Sequence, residues 1–136
     1  MGDSNQILNN CLYFSVNSLS RIMNRLADEA FAPTGLSPSH ALLMMTINEN
    51  PGISPNELSK RLQIAPSTVT RFVDVLEKKG MVGREFEGKS SKVFNTEKGK
   101  NTQETIKTCW SNLYNNYSEK LTSRLSGVLN DLINES

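Results

Sequence analysis

A short segment near the middle of the chain places hydroxyl side chains and a guanidinium within five residues, at Ser67, Thr68, Thr70 and Arg71. Small hydroxyl residues let a helix backbone approach a DNA groove and bond to phosphates or base edges, and arginine reaches guanine or phosphate. The same side chains could equally be the solvated face of a surface helix. The elements around them decide between these two interpretations.

The segment belongs to the second of two short predicted helices. Ser54, Pro55 and Glu57 form a capping box that starts the first helix, and Pro66 starts the second after a three-residue link. Apolar residues at i, i+3, i+4 and i+7 then predict a buried stripe of Val69, Phe72, Val73 and Leu76. Two short helices joined in this way predict a helix-turn-helix, whose second helix enters the major groove. Ser54 and Pro66, at the two helix starts, are candidate DNA contacts too.

The second helix has no side-chain cap, because Ala65 precedes Pro66 and carries no side-chain oxygen. The amides at a helix N-terminus bind anions. We hypothesise that a DNA phosphate is their partner, with water as the alternative.

A β-hairpin is predicted after Gly80, where the apolar period changes to two and a turn occupies residues 87–91. Arg84 lies on its first strand, and the residues near its tip are Lys89, Ser90, Ser91 and Lys92. These side chains are candidates for contacts to phosphate or to the minor groove, and a solvated turn is the alternative. A hairpin in this position makes the helix-turn-helix a winged one.

Long helices flank this lobe. The spacing predicts one helix over residues 6–31 and another from Ser37 to Asn50. From Thr96 the pattern is helical again and predicts one long helix and a short last one. The fold class is therefore mainly α, a winged helix-turn-helix with a two-stranded β-wing.

Length and composition agree with one soluble, cytoplasmic domain. The 136 residues suffice for a single core, no apolar run could span a bilayer, and the first ten residues lack a secretory pattern. The formal net charge of +1 divides into −2 over residues 1–53, +3 over 54–98 and 0 over 99–136. The basic excess thus falls on the predicted DNA-binding segment. None of the residue constellations that enzymes need is readable, so we expect neither an enzyme nor a bound cofactor.

The order of elements resembles the MarR family over nearly the whole chain. The matching strings are NELSKRL at residues 56–62, STVTRFVDVLEKKGMVGR at 67–84 and TEKGK at 96–100. The resemblance implies a homodimer with long N- and C-terminal dimerisation helices (residues 1–35 and 100–136) and a winged lobe (residues 36–99). It also implies a ligand-responsive repressor, near-palindromic double-stranded DNA as a partner, and a cleft for a small-molecule effector. Phe14, His40 and Met44 are the candidates for that cleft, and a place in the core or the dimer interface is the alternative.

The wing departs from the family pattern. The family commonly carries an Asp-x-Arg motif there, whereas this chain has Glu87-Gly88-Lys89 on a hairpin that is a few residues shorter. Either Lys89 or Lys92 substitutes for the arginine, without its planar fork, or the wing touches only the DNA backbone. Asn95 also replaces the usual apolar residue before Thr96.

Three residue types leave alternatives open. Cys11 resembles the thiol of the peroxide-sensing branch, but Arg21 is about 15 Å away along a helix, so a structural thiol is the alternative. We expect Cys109 to be a buried thiol beside Trp110. His40 has no cysteine or second histidine at metal-ligand spacing, so no metal site is expected. A winged helix used for protein contacts is the rival to DNA binding.

Overall fold

The computed structural model describes residue 4, residues 11–120, residue 130 and residues 132–135. In these ranges the elements are α1 (Leu12–Phe31), a 3-10 turn (Ala32–Thr34), α2 (Pro38–Glu49), α3 (Pro55–Leu62), α4 (Pro66–Lys78), β1 (Val82–Glu87), β2 (Ser90–Asn95), α5 (Glu97–Asn101) and α6 (Gln103–Lys120). The chain is mainly helical with a two-stranded antiparallel wing, as predicted. The predicted start of α1 at residue 6 and most of the predicted last helix lie outside the described residues.

The chain forms two compact units. The winged unit is Phe31–Cys109, and the other contains the described residues up to Ala30 and from Trp110 onward. None of the helices in the described ranges combines the length and apolarity of a bilayer-spanning segment.

Side-chain caps start α2 and α3 as the sequence predicts. The Ser37 hydroxyl accepts a hydrogen bond from the His40 amide at 3.1 Å, and the Ser54 hydroxyl accepts one from the Glu57 amide at 3.2 Å. A proline follows each cap, where its missing N–H costs nothing. Both helix starts are therefore determined by local sequence.

The turn between α3 and α4 depends on a residue that the sequence pattern did not single out. Gln63 ends α3 with φ of 54°, a left-handed conformation that a residue with a side chain seldom adopts. The Ser59 hydroxyl donates to the Ile64 carbonyl at 2.6 Å, and the Ile64 amide donates to the Ser59 carbonyl. This pair of bonds holds the turn that orients α4.

The core of the winged unit lies between its helices and the wing. Its largest fully buried side chains are Phe31 at the end of α1, Leu43, Met44 and Ile47 of α2, Leu58 of α3, Val69, Val73 and Leu76 of α4, Val93 of β2 and Ile106 of α6. The predicted stripe of α4 is thus confirmed at three positions. The fourth, Phe72, is half-buried and meets the His40 ring edge-on, with 4.5 Å between ring centroids.

The wing is a tight hairpin whose register runs from Val82 opposite Asn95 to Glu87 opposite Ser90. Its turn is therefore the two residues Gly88 and Lys89, shorter than the predicted five, because Gly88 supplies a positive φ of 61°. Near its base, Ile53 pairs with Val93 through an amide-to-carbonyl bond of 3.0 Å. The loop before α3 thereby supports the wing.

The string at residues 96–100 ties the base of the wing to the end of α4. The Thr96 hydroxyl donates to the Gly80 carbonyl at 2.6 Å and accepts from the Gly99 amide at 3.2 Å. A Cβ on Gly99 would lie 2.1 Å from the Met81 carbonyl oxygen, which is closer than real contacts allow. Only glycine permits this approach.

The helical segment after Thr96 is interrupted, which differs from the one long helix predicted. The Thr102 amide donates to the Gly99 carbonyl at 3.2 Å, one residue nearer than in an α-helix, and the Thr102 hydroxyl donates to the Lys98 carbonyl at 2.8 Å. Such bonds tighten the turn and separate α5 from α6.

Candidate nucleic-acid interface

The side of α4 opposite its buried stripe carries the predicted recognition residues. Ser67, Thr70 and Arg71 are exposed, and Thr68 is half-buried. This arrangement follows from the helical period, since the apolar residues at positions 69, 73 and 76 turn the others outward. Helix α4 therefore has an open polar surface in the winged unit.

Arg71 is held by a neutral partner. Its guanidinium donates to the Thr68 hydroxyl at 3.3 Å, and it forms no ion pair with any described carboxylate. The Thr70 hydroxyl donates to the Pro66 carbonyl at 3.1 Å and keeps its capacity to accept. Arg71 therefore retains an uncompensated positive charge on the exposed face.

The N-terminus of α4 has no side-chain cap, as expected from Ala65. The amides of Thr68 and Val69 donate to the Ala65 carbonyl, and Pro66 has no N–H. The first turn therefore leaves the Ser67 amide without a helical partner, at the positive end of the helix dipole. If an anion binds at this end of α4, the Ser67 amide is the backbone donor that remains for it.

Four predicted contacts from two distant segments of the chain meet around one open polar cavity of about 210 Å³. It lies between the start of α3 and the turn of the wing, and it is lined by Ser54, Pro55, Asn56, Lys89, Ser90 and Ser91. Asn56 was missed by sequence reasoning. Its place as second residue of α3, where helix amides have no internal acceptor, was the available signal. Hydroxyls, an amide and an ammonium here make a surface suited to an anion.

Arg84 points away from that surface. Its guanidinium contacts the Asp74 carboxylate and lies 3.7 Å from the Glu77 carboxylate, both on α4. The alternation of side chains along β1 indicates this orientation, because Arg84 shares a face of the strand with the buried Val82. These ion pairs make Arg84 a link between the wing and α4, and its predicted contact with DNA stays a prediction.

Lys92 also has an acidic partner. Its ammonium lies 3.1 Å from the Glu87 carboxylate across the wing, and both side chains are exposed. Lys89, in the turn, forms no ion pair with a described carboxylate. The two candidates for the missing arginine thus differ in electrostatic environment.

The candidate effector residues fall in different places. His40 is half-buried on α2, and burial, followed by the nearby Lys79 charge, lowers the pKa of its imidazole. Met44 is fully buried in the core, so its side chain presents no surface to a ligand. Phe14 is exposed on α1, in the other unit.

The two cysteines differ in burial. Cys109 is buried, and its burial raises the pKa of the thiol, as expected for an inert structural cysteine. Cys11 is half-buried just before α1. Within the described ranges, no three His, Cys, Asp or Glu side chains converge as metal ligands.

Comparison with known proteins gives a consistent result. Residues 36–86 match the sequence profile of the MarR family. The chain is 32% identical over 75 residues to the HTH-type transcriptional repressor YetL of Bacillus subtilis. That match covers 54% of this chain and 45% of the relative, so it spans about half of the relative's length.

Solved structures share the fold. A mutant MarR from E. coli complexed with operator DNA has a TM-score of 0.82 at 22% identity, with 98% of each chain covered. CouR from Rhodococcus jostii bound to p-coumaroyl-CoA has a TM-score of 0.76 at 20% identity, covering 93% of this chain and 91% of the other. With the observed winged helix-turn-helix, these likenesses lead to one conclusion: residues 36–86 match the MarR family profile, and the chain shares the fold of MarR structures.

Proposed function

We propose that the chain is a sequence-specific, DNA-binding transcriptional regulator, a cytoplasmic repressor that acts as a homodimer on a near-palindromic operator. The observation that carries the proposal is the open face of α4, where Arg71 lies beside Ser67, Thr68 and Thr70 with no carboxylate partner among the described residues. A guanidinium held by a neutral hydroxyl keeps its charge for a guanine or a phosphate. The buried stripe on the other side of α4 makes that face rigid.

Binding of the DNA phosphate backbone is assigned to the cavity between α3 and the wing. Ser54, Asn56 and Lys89 line it together with Ser90 and Ser91. Polar residues of two separate elements around one opening support contact with a phosphate group, and the Ser67 amide offers a second phosphate contact. Such contacts set the position of α4 on the duplex.

Dimerisation is assigned to residues 1–35 and 100–136. The exposed large apolar side chains on α1 are Leu12, Tyr13, Phe14, Val16 and Ile22. Several large apolar side chains left exposed on one helix support their burial against a second copy. A two-fold dimer presents α4 twice, which is why a near-palindromic operator follows. A single-chain particle in sedimentation velocity would exclude this arrangement.

The names of the relatives support repression, as opposed to activation, and a response to a small molecule. YetL is named a transcriptional repressor, and CouR is solved with p-coumaroyl-CoA bound. We therefore assign a repressor role that responds to a small-molecule effector.

The test is salt-dependent binding to duplex DNA, measured by fluorescence anisotropy on a labelled mixed-sequence duplex and on duplexes selected from a random library. The expected affinity falls steeply with salt, by about 0.9 logarithmic units per decade of salt for each neutralised phosphate. The selected duplexes should bind at least about a thousand-fold more tightly than the mixed one. Absence of duplex binding by the folded protein at low salt would instead favour a winged helix used for protein contacts.

A further inference from the structure

The wing presents its positive charges unequally. Arg84 faces Asp74 and Glu77 on α4, and Lys92 lies 3.1 Å from the Glu87 carboxylate. Among the described residues, Lys89 is therefore the wing cation without an acidic partner.

The strand register explains why Lys92 is surrounded by acids. Lys92 lies directly opposite Glu85 on β1, and Glu87 is its diagonal neighbour on the same face of the hairpin. Cross-strand neighbours of opposite charge attract each other. With Arg84 turned toward α4, the outer face of the wing balances Lys89 and Lys92 against two exposed glutamates.

We propose that Glu87 masks Lys92 and so lowers the affinity of the wing for DNA, leaving Lys89 as the wing's contact to the phosphate backbone. The proposal rests on the function proposed above. Lys89 lines the cavity beside the start of α3, whereas the Lys92 ammonium must leave Glu87 before it can meet a phosphate. Glu87 is a positioning residue here, because it acts through Lys92.

The consequence concerns specificity. A lysine ammonium is a point charge without the planar fork by which arginine reads a base edge. A wing that contributes Lys89 therefore adds affinity on any sequence, and discrimination among sequences stays with α4. The masking is modest, because an exposed ion pair is worth little, so a change of about two- to fivefold per wing is the expected scale.

The experiment measures binding to one labelled mixed-sequence duplex over a salt series. The variants are Glu87→Gln, Lys92→Gln, the double variant and Lys89→Gln, with Glu87→Ser as a second replacement. Glu104→Gln is the matched control, because Glu104 forms a similar exposed pair with Lys107 at 3.9 Å on α6. Thermal unfolding of each variant checks that the fold is retained.

Glu87→Gln is expected to tighten binding by about four- to twenty-fivefold for a dimer with two wings, and to steepen the salt dependence by about 0.9 per newly contacted phosphate. Lys92→Gln alone should change affinity by less than about twofold, yet in the Glu87→Gln background it should cost as much as Lys89→Gln does. Glu104→Gln should bind like the wild type.

Two results would overturn the masking: an affinity of Glu87→Gln no higher than that of Glu104→Gln, or strictly additive effects at positions 87 and 92. Failure of the proposed function looks different, because the wild-type protein itself would then not bind the duplex, and the masking would fall with it.

Discussion

Helix α4 and the wing carry similar polar residues but differ in burial and in the partners of their cations. α4 is buried along one side by Val69, Val73 and Leu76, and its cation Arg71 is held by a neutral hydroxyl. The wing is buried only at its base, Phe86 near its tip is 70% exposed, and two of its cations have carboxylate partners. A rigid helix that presents an arginine without a described acidic partner suits the reading of bases. A hairpin whose open turn carries the unpaired Lys89 suits contact with the DNA backbone.

The largest effect is expected at the base of the wing. Gly99→Ala should cost about 3 kcal/mol of unfolding free energy, because its Cβ would lie 2.1 Å from the Met81 carbonyl and the backbone must shift. Gly83→Ala is the matched control, since a Cβ there meets nothing within 4 Å. Urea denaturation of both variants measures the difference. Equal stabilities would mean that the base of the wing yields easily.

The next effect tests α4 as the element that reads sequence. Arg71→Ala should weaken binding to a selected duplex by about 1 to 3 kcal/mol and weaken binding to mixed-sequence DNA less. Lys78→Ala, exposed in the last turn of the same helix, is the control and should lower both affinities equally. Anisotropy titrations on the two duplexes give the comparison. The same loss on both duplexes for Arg71→Ala would make it a backbone contact.

Arg84 is where the two regions meet. Arg84→Met keeps the apolar stem and removes the pairs with Asp74 and Glu77, so we expect a loss of about 1 kcal/mol in unfolding free energy, because these partners are half exposed. DNA affinity should fall too, because the wing is no longer tied to α4. Lys60→Met, which removes a more exposed pair with Glu57, should leave stability unchanged. Unaltered DNA affinity of Arg84→Met would show that this link does not position the wing.

The smallest effect concerns the first turn of α4. Ala65→Ser should stabilise the free protein by up to about 1 kcal/mol by capping the helix, and should weaken DNA binding slightly if a phosphate uses the Ser67 amide. Ser54→Ala is the reverse change at α3 and should cost about 1 kcal/mol. Thermal unfolding and DNA titration together measure both effects. Stabilisation by Ala65→Ser with undiminished DNA binding would point to water as the natural partner.

Several features of the molecule were readable from the chain because they depend on neighbours in sequence. The starts of α2 and α3 follow from Ser37 and Ser54 with the prolines after them, and the buried side of α4 follows from its helical period. The hairpin was predicted, but the predicted turn of five residues is longer than the observed turn of two. Strand residues and turn residues of a short polar segment have similar compositions, so the register and not the composition decides where the strands end.

Other features required partners from distant parts of the chain. The break at Thr102 is an exception, because its amide and hydroxyl bonds to Gly99 and Lys98 are local but compete with the helix in a way that the apolar period does not show. The pairing of Arg84 with Asp74 and of Lys92 with Glu87 depends on how the wing packs and on its register, and a charge count along the sequence assigns no partner. Tertiary distance therefore gives Arg84 two acidic partners that its residue type did not indicate.

The sequence by itself determined the order and type of the elements, the helix caps and the side of α4 that must be buried, because these obey interactions over three or four residues. Only the tertiary structure decided which charges remain uncompensated, and it brought Ser54 and Lys89 to one cavity. The physical reason is that electrostatic and packing energies depend on distances in space, which short-range periodicity does not encode.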